Sequence, residues 1–353
     1  MNITPARPPS RIGESLYSAL LYLYPRQFRQ EYGRHMCQVF LDCYRDELRY
    51  KGSLARFWSS IFYDTIASAG SEHMHSLIVR CKRLLGLEQR HALASASISL
   101  NVGSLTDIGR KRAVNEDTMI SIVPEDPNIM AHKGALFVVA DGMGGHMKGE
   151  VASNLAVKYI HEIYYQDTSE DPQVALCHAI EVANHEICRH NDEQLGNEEQ
   201  EARKNGMGTT CVAAVLKDNF IYIANVGDSL AYIVRGNSLL QLAQDHSWVA
   251  EQVLLGKLTP EEAKNHDKRN VITRCLGTQA DVEVYTTSEP AQDGDILILC
   301  TDGLHALIGE DDLRSIVQQY SPEESTQRLI ARANEQGGPD NITAVVVHIS
   351  LAA

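Results

Sequence analysis

Residues 135–142 read Ala-Leu-Phe-Val-Val-Ala-Asp-Gly, so six consecutive apolar residues run directly into an aspartate and a glycine. A strand that is apolar at every position has both faces of its sheet covered. Loops of only two or three residues, as at Lys217-Asp218 and Gly236-Asn237, predict hairpins and hence antiparallel sheets. Short apolar runs predict strands at 98–105, 118–123, 134–140, 209–216, 219–226, 230–235, 283–287, 295–300 and 342–349.

Helical segments lie between these strands. Sheets covered both by another sheet and by helices predict a layered α+β sandwich, here over residues 96–353. Helices are predicted at 149–165, 173–194, 247–255, 259–265, 310–319 and 322–336.

Residues 1–95 differ in character from the rest of the chain. Apolar residues at helical spacing predict a small all-α unit there. Its formal charge is +5, against −19 for residues 96–353, and this break predicts two units with different partners. Its many aromatic rings allow two interpretations. They form the core of a helical bundle, or they present a basic docking face for a protein partner or an anionic membrane surface.

Composition restricts the class and the compartment. The net charge of −14 excludes non-specific nucleic-acid binding as the main role of the chain. Eight scattered cysteines without a C-x-x-C pair predict reduced thiols. No apolar run approaches the roughly 18–20 residues that span a membrane, and the first residues contain no apolar signal core. We therefore expect a cytoplasmic protein.

Aspartates stand beside glycines at the ends of three apolar strands. These pairs are Asp141-Gly142, Gly227-Asp228 and Asp302-Gly303, and Asp340 precedes the strand at 342–349. One Asp-Gly pair is an ordinary turn, but four such sites predict carboxylates that converge on one edge of an antiparallel sheet. Glu116-Asp117, just before another strand, can join them. Six acids cannot share a site as bare anions, so the cluster predicts hard divalent cations such as Mg²⁺ or Mn²⁺.

With these motifs in order along about 250 residues, the chain resembles the metal-dependent protein phosphatases (PPM, the type 2C serine/threonine phosphatases) in their bacterial form. The matching segments are 109–117 (GRKRAVNED), 139–146 (VADGMGGH) with Gly149-Glu150, 208–210 (GTT), 224–229 (ANVGDS), 245–247 (DHS), 271–277 (VITRCLG), 300–304 (CTDGL) and 339–343 (PDNIT).

The resemblance implies a four-layer α/β/β/α sandwich and a two-metal hydrolase. By this resemblance Asp141 bridges two Mn²⁺ or Mg²⁺ ions, of which Asp302 and Asp340 hold one and Glu116 and the Gly142 carbonyl the other. The resemblance also implies that Asp117 orders a metal-bound water and that Asp228 with Asp302 forms a weaker third metal site. Arg112 matches the arginine that binds the substrate phosphate. Water activated by the two ions hydrolyses phosphoserine and phosphothreonine monoesters in line. The implied partners are phosphoproteins, among them a serine/threonine kinase or its targets.

Three positions qualify the match. Some family members carry a histidine, proposed as general acid, where this chain has Met143, which leaves His146 as a candidate. Leu230 stands where an arginine is common. Residues 256–281, with Arg269 and Arg274, occupy the place of the family's variable flap. The alternative function is a catalytically inactive binding module. Loss of ligand acids would indicate it, and here all the matching acids are present.

Overall fold

The structure, a computed structural model, describes residues 98–144, 148–195 and 206–351. All of them belong to one compact unit, residues 96–353. The helical unit predicted over 1–95 and the candidate His146 lie outside the described residues.

Eleven strands build two antiparallel sheets in the described part of the chain, as the short loops predict. The first sheet has the order β1-β11-β10-β7-β8 and the second has the order β2-β3-β5-β6-β9, with β4 paired to β3. The strands are β1 (Ile98–Asp107), β2 (Asp117–Ile122), β3 (Ala135–Met143), β4 (Gly208–Thr209), β5 (Cys211–Lys217), β6 (Phe220–Val226), β7 (Leu230–Arg235), β8 (Ser238–Gln241), β9 (Tyr285–Pro290), β10 (Ile296–Cys300) and β11 (Ile342–Leu351).

Helices cover the outer faces of both sheets. The two long helices α2 and α3 pack on the second sheet, and α8 packs on β1 and β11 of the first. The helices are α1 (Pro127–Lys133), α2 (Lys148–Gln166), α3 (Pro172–Leu195), α4 (Trp248–Leu254), α5 (Pro260–Lys264), α6 (Asp302–His305), α7 (Glu310–Gln319) and α8 (Pro322–Glu335).

Strand β3 shows why the chain forms four layers. Its residues 136, 138 and 140 belong to the core that includes buried residues of α2 and α3. Residues 135, 137 and 139 belong to a second core shared with the first sheet. All six have no exposed surface, because successive side chains of a strand point to opposite faces. The predicted α/β/β/α sandwich is confirmed.

The structure corrects details of the predicted elements. The first hairpin turns at Asp218 and Asn219, with φ of 52° and 60°, one residue later than the predicted Lys217-Asp218. Asp and Asn adopt this left-handed conformation more readily than Lys. The predicted hairpin at Gly236-Asn237 joins β7 to β8, although no apolar run marks β8 itself. Helices α1 and α6 were not predicted, because four to seven residues carry too little periodicity.

Cys177, Cys211, Cys275 and Cys300 are thiols, in agreement with the sequence prediction. Cys211 and Cys300 are fully buried, and burial raises the pKa of the Cys211 thiol to about 12. Such thiols are poor nucleophiles. In the ranges that the structure describes, no helix combines the length and the apolar character needed to cross a membrane.

Candidate active site

Acidic residues from both sheets meet at one edge of the sandwich. In the second sheet Asp117 begins β2 and lies directly opposite Asp141 of β3. In the first sheet β10 ends at Cys300, two residues before Asp302, and its neighbour β11 begins two residues after Asp340. The antiparallel pairing of β10 with β11 places that strand end and that strand start side by side. The structure thus brings the predicted carboxylates together.

Asp117 spans the two sheets through its side chain. Its Oδ2 accepts hydrogen bonds from the Thr301 hydroxyl at 2.9 Å and the Thr343 hydroxyl at 2.7 Å, and both threonines belong to the first sheet's edge. Its Oδ1 is buried without a hydrogen-bond partner among the described residues. Burial raises the pKa of Asp117 to about 7, and the nearby Asp302 and Asp340 add to the rise.

Three further aspartates of the cluster also have raised pKa values. Burial raises the pKa of Asp141 well above its usual range, with added repulsion from neighbouring aspartates. Burial also raises the pKa of Asp302, which His305 partly offsets. Burial and the charge of Asp302 raise the pKa of Asp228 to about 8. The Oδ1 atoms of Asp228 and Asp302 are buried and lack a hydrogen-bond partner within the described ranges.

Glu116 lies where the start of α2 meets the end of β3. Its backbone carbonyl accepts from the Gly142 amide at 3.1 Å and from the Ser153 hydroxyl at 2.6 Å. A Cβ atom at Gly149 would lie 2.5 Å from Glu116 Oε1 and 2.7 Å from the Gly142 carbonyl oxygen. Only glycine fits there, so the Gly149 backbone closes against the Glu116 carboxylate and the Gly142 carbonyl.

Arg112 is 45% exposed in its side chain and binds two of the predicted ligands. Its Nη2 donates to Asp340 Oδ2 at 2.7 Å, and Nη1 lies 3.5 Å from Glu116 Oε2. The hydrogen bond to Asp340 raises the pKa of the guanidinium. Arg112 therefore places a positive charge at the rim of the acidic cluster.

The donor set fits hard divalent cations. Three buried carboxylate oxygens have no hydrogen-bond partner in the described residues, and a buried acceptor without a partner is costly unless a cation or a donor completes it. Carboxylate and carbonyl oxygens are the preferred ligands of Mg²⁺ and Mn²⁺. Over the described ranges no three acidic, histidine or cysteine side chains close on a single cation position.

A cavity of about 750 Å³ opens beside the acidic cluster. Asp228, Asp302 and His305 line its inner side, and helices α4 and α5 line the outer side together with Arg269. Arg274, the other arginine of the predicted flap, instead pairs with Glu283 at 3.1 Å. The predicted flap segment therefore borders the cavity through Arg269.

Sequence reasoning missed the polar residues that hold the ligands in place. Asn341 accepts the Glu116 amide at 2.8 Å and donates to the carbonyls of Ile108 and Val114. His246 Nδ1 accepts the Gly227 amide at 3.1 Å beside Asp228. Both lie in motif segments quoted above, but adjacency in a motif does not reveal which backbone a side chain binds.

Comparison with known proteins agrees with this geometry. The family model described as protein phosphatase 2C matches residues 128–344. A serine/threonine phosphatase, Stp, of Listeria welshimeri is 38% identical over 251 residues, which cover 70% of this chain and 94% of that protein. The crystal structure of the serine/threonine phosphatase PstP/Ppp of Mycobacterium tuberculosis is 34% identical with a TM-score of 0.62, and the match covers 71% of this chain and 99% of that one. The catalytic domain of PstP in complex with two manganese ions is 32% identical with a TM-score of 0.61, over 72% of this chain and 100% of that one.

The fold and the acidic site define a metal-dependent phosphatase, and the chain belongs to the protein phosphatase 2C family. Within that family it is similar to bacterial serine/threonine phosphatases over nearly the full length of those proteins. The predicted function, a metal-dependent protein serine/threonine phosphatase, is confirmed at the level of the family.

Proposed function

We propose that residues 96–353 hydrolyse phosphoserine and phosphothreonine esters of proteins with the help of bound Mn²⁺ or Mg²⁺. The observation that carries the proposal is the set of three buried, partnerless carboxylate oxygens on Asp117, Asp228 and Asp302. The two manganese ions in the PstP catalytic domain support the choice of cation.

Each acid has a place in this proposal. Asp141, Asp302 and Asp340 would hold one ion, Asp141, Glu116 and the Gly142 carbonyl a second, and Asp228 with Asp302 a weaker third. When bound, such cations lower the pKa of coordinated water and offset charge on phosphoryl oxygens. Opposite charge nearby lowers the pKa of a carboxyl, so loading the site would return these carboxyls to their ionised forms.

Arg112 and Asp117 are the side chains proposed to act on the substrate phosphate and on the water. The planar guanidinium of Arg112 matches two phosphate oxygens, and its pairing with Asp340 places it at the mouth of the cluster. Asp117 is held by Thr301 and Thr343 through Oδ2, which leaves Oδ1 to accept a hydrogen bond from a water and so to order it. Met143 cannot donate a proton to the leaving group. We therefore assign this proton donation to solvent at the site.

Residues 1–95 are proposed to form a helical unit that the chemistry does not require. The motifs that match the family begin at residue 109, and the charge of the first 95 residues is opposite to that of the remainder. We also propose a cytoplasmic location, which the partly exposed thiols of Cys177 and Cys275 support. The substrates are phosphoproteins, with a serine/threonine kinase or its targets as the first ones to test.

The test is hydrolysis of p-nitrophenyl phosphate and of a phosphothreonine peptide by the purified full chain. We expect turnover with Mn²⁺ or Mg²⁺ and none in excess EDTA. Asp302→Asn serves as the site variant, and Asp312→Asn, an exposed aspartate of α7, serves as the matched surface control. Full activity in EDTA, or wild-type turnover by Asp302→Asn, would refute the proposed metal-dependent reaction.

A further inference from the structure

Helix α3 carries two buried asparagines seven residues apart. Asn184 is 1% exposed and Asn191 is 3% exposed. Seven residues are close to two helical turns, so both amides lie on one face. A buried amide is costly unless its donors and acceptor are all engaged, and on a face otherwise built from Ile and Ala the sequence could have used apolar residues.

Together the two amides bind the backbone of two segments that are distant in sequence. Asn191 Nδ2 donates to the Met207 and Gly277 carbonyls, each at 2.8 Å, and its Oδ1 accepts the Met207 amide at 2.9 Å. Asn184 Oδ1 accepts the Gly277 amide at 2.8 Å, and its Nδ2 donates to the Gln279 and Ala280 carbonyls at 2.9 and 3.0 Å. Both hydrogen-bonding groups of Gly277 are therefore bound by α3.

Gly277 is seated directly on the helix between the two asparagines. Its φ of +90° suits glycine, and a Cβ atom there would collide with the Ile187 side chain and lie 2.9 Å from the Met207 carbonyl oxygen. The Gly277 backbone is therefore in close contact with the Ile187 side chain. The end of the predicted flap (residues 256–281), here called the flap-like segment, is thus held in a fixed position against α3.

From these anchors the hydrogen bonds continue to Asp141. Leu276, next to Gly277, exchanges two backbone hydrogen bonds with Thr209, at 2.8 and 3.2 Å. The Thr209 hydroxyl and the Thr210 amide both donate to the Asp141 carbonyl at 2.8 Å, and the Asp141 amide donates to the Thr210 hydroxyl at 3.0 Å. Thr210 also bonds the Ser229 hydroxyl at 2.6 Å, next to Asp228. Every link is backbone or a short side chain, so displacement at one end moves the other.

We propose that Asn184 and Asn191 are positioning residues that set the place of Asp141 and tie it to the end of the flap-like segment. Neither asparagine is among the residues proposed to hold the cations or the substrate phosphate. Asn191 binds both segments and Asn184 binds one, so the effect of Asn191 is the larger. The inference rests on the proposed phosphatase function, because the position of Asp141 matters only if Asp141 serves the reaction.

The experiment compares Asn191→Ala and Asn184→Ala with Leu176→Ala in the full chain. Leu176 is a fully buried residue of α3 in the same core, and it lies more than two helical turns before Asn184. Hydrogen exchange is followed by mass spectrometry in EDTA, over peptides that cover 206–212 and 274–280. Turnover of p-nitrophenyl phosphate and the Mn²⁺ concentration for half-maximal activity are measured on the same samples.

For Asn191→Ala we expect faster exchange in both peptides, a higher Mn²⁺ requirement, and a kcat lower by about 10- to 100-fold with KM nearly unchanged, as for a displaced catalytic group. Asn184→Ala shifts 274–280 more than 206–212 and lowers kcat less. Leu176→Ala loses thermal stability and keeps its kcat, its Mn²⁺ requirement and both exchange patterns.

An asparagine variant that keeps the kcat and Mn²⁺ requirement of Leu176→Ala overturns the inference, whether or not its exchange changes, because the pair is then merely structural. The same holds if both asparagine variants fail to fold while Leu176→Ala folds. If only Asn191→Ala fails to fold, Asn184→Ala decides by the same criteria. An inactive wild-type chain refutes the proposed function itself, and the inference falls with it.

Discussion

Neutralising Asp228 is expected to stabilise the metal-free protein. Asp228 is 6% exposed, its Oδ1 has no hydrogen-bond partner in the described residues, and Asp302 and Asp245 oppose its ionisation. An asparagine has nearly the same shape and no charge. Its amide can donate to the carboxylate oxygens around it, which are acceptors in excess. Asp228→Asn therefore removes repulsion and adds donors where donors are lacking.

The magnitude follows from the difference in pKa between the folded and unfolded chain. The pKa of Asp228 is raised to about 8 in the folded protein, against about 3.9 in an unfolded chain. At pH 7 the folded state pays about 4 kcal/mol for keeping a proton that the unfolded state has released, at about 1.4 kcal/mol per pH unit. Neighbouring acids share this load, so replacement recovers about 2–4 kcal/mol. At about 2–4 °C per kcal/mol for a unit of this size, Tm rises by roughly 4–16 °C.

The effect has a defined pH window. Below about pH 4 the carboxyl is protonated in both states, so wild type and Asp228→Asn differ little. As pH rises from about 4 to 8, only the unfolded chain releases the proton, which favours unfolding of the wild type and widens the gap. Above about pH 8 both states are ionised and the gap levels off. Saturating Mn²⁺ narrows it, because a cation bound only to the folded state stabilises the protein that holds it best.

The assay is calorimetric melting of the full chain in EDTA from pH 4 to 9, following the transition that Mn²⁺ shifts. Asp295→Asn is the matched control, since Asp295 is 1% exposed but accepts Arg235 Nε at 3.0 Å and Nη2 at 2.8 Å. That variant weakens a charged hydrogen bond and costs about 1–3 kcal/mol. The reasoning is wrong if Asp228→Asn melts at or below wild type at pH 7 to 8 while Asp295→Asn is destabilised.

Three other outcomes are expected. Asp302→Asn lowers turnover of p-nitrophenyl phosphate by at least about 10²-fold while circular dichroism stays native, and an unchanged kcat at limiting Mn²⁺ would contradict the ligand assignment. Arg112→Ala lowers kcat/KM for a phosphothreonine peptide by about 10²-fold, and Arg112→Lys recovers little of it because an ammonium lacks the planar fork; full recovery by lysine would show that charge alone suffices. Residues 96–353 expressed alone fold and keep the kcat of the full chain. A fragment that is insoluble or does not bind metal would show that the domain boundary does not lie between residues 95 and 96.

Much of the scaffold could be predicted because its signals are local. The all-apolar run of β3 requires cover on both faces, and the structure buries residues 135–140 completely. The edge-wise convergence of Asp141, Asp302 and Asp340 also follows from where strands end. Helices α1 and α6 have seven and four residues, which is too short for a periodic pattern to stand out. Their existence depends on caps and on tertiary contacts.

The supporting contacts could not be predicted, because they join residues far apart in sequence. Thr343 reaches Asp117 across 226 positions, and Asn191 reaches Gly277 across 86. No spacing rule links such pairs. The pairing of Arg112 with Asp340 is of the same kind. The resemblance implies that Arg112 meets phosphate, and the structure adds that in this arrangement it engages a carboxylate of the cluster.

The position of β11 in the first sheet affects the order in which the protein folds. This strand is the last element of the described chain, yet it lies between β1, the first, and β10. Strand β1 therefore has no partner in the first sheet until residues 342–351 have been synthesised and inserted. Asp340 arrives on the same segment, so the acidic edge is incomplete for as long as the sheet is. Pairing between such distant segments is slow, and a nascent chain that has not yet reached residue 340 cannot yet dephosphorylate anything. Activity regained during refolding should accordingly trail the recovery of sheet structure, as the final event of assembly.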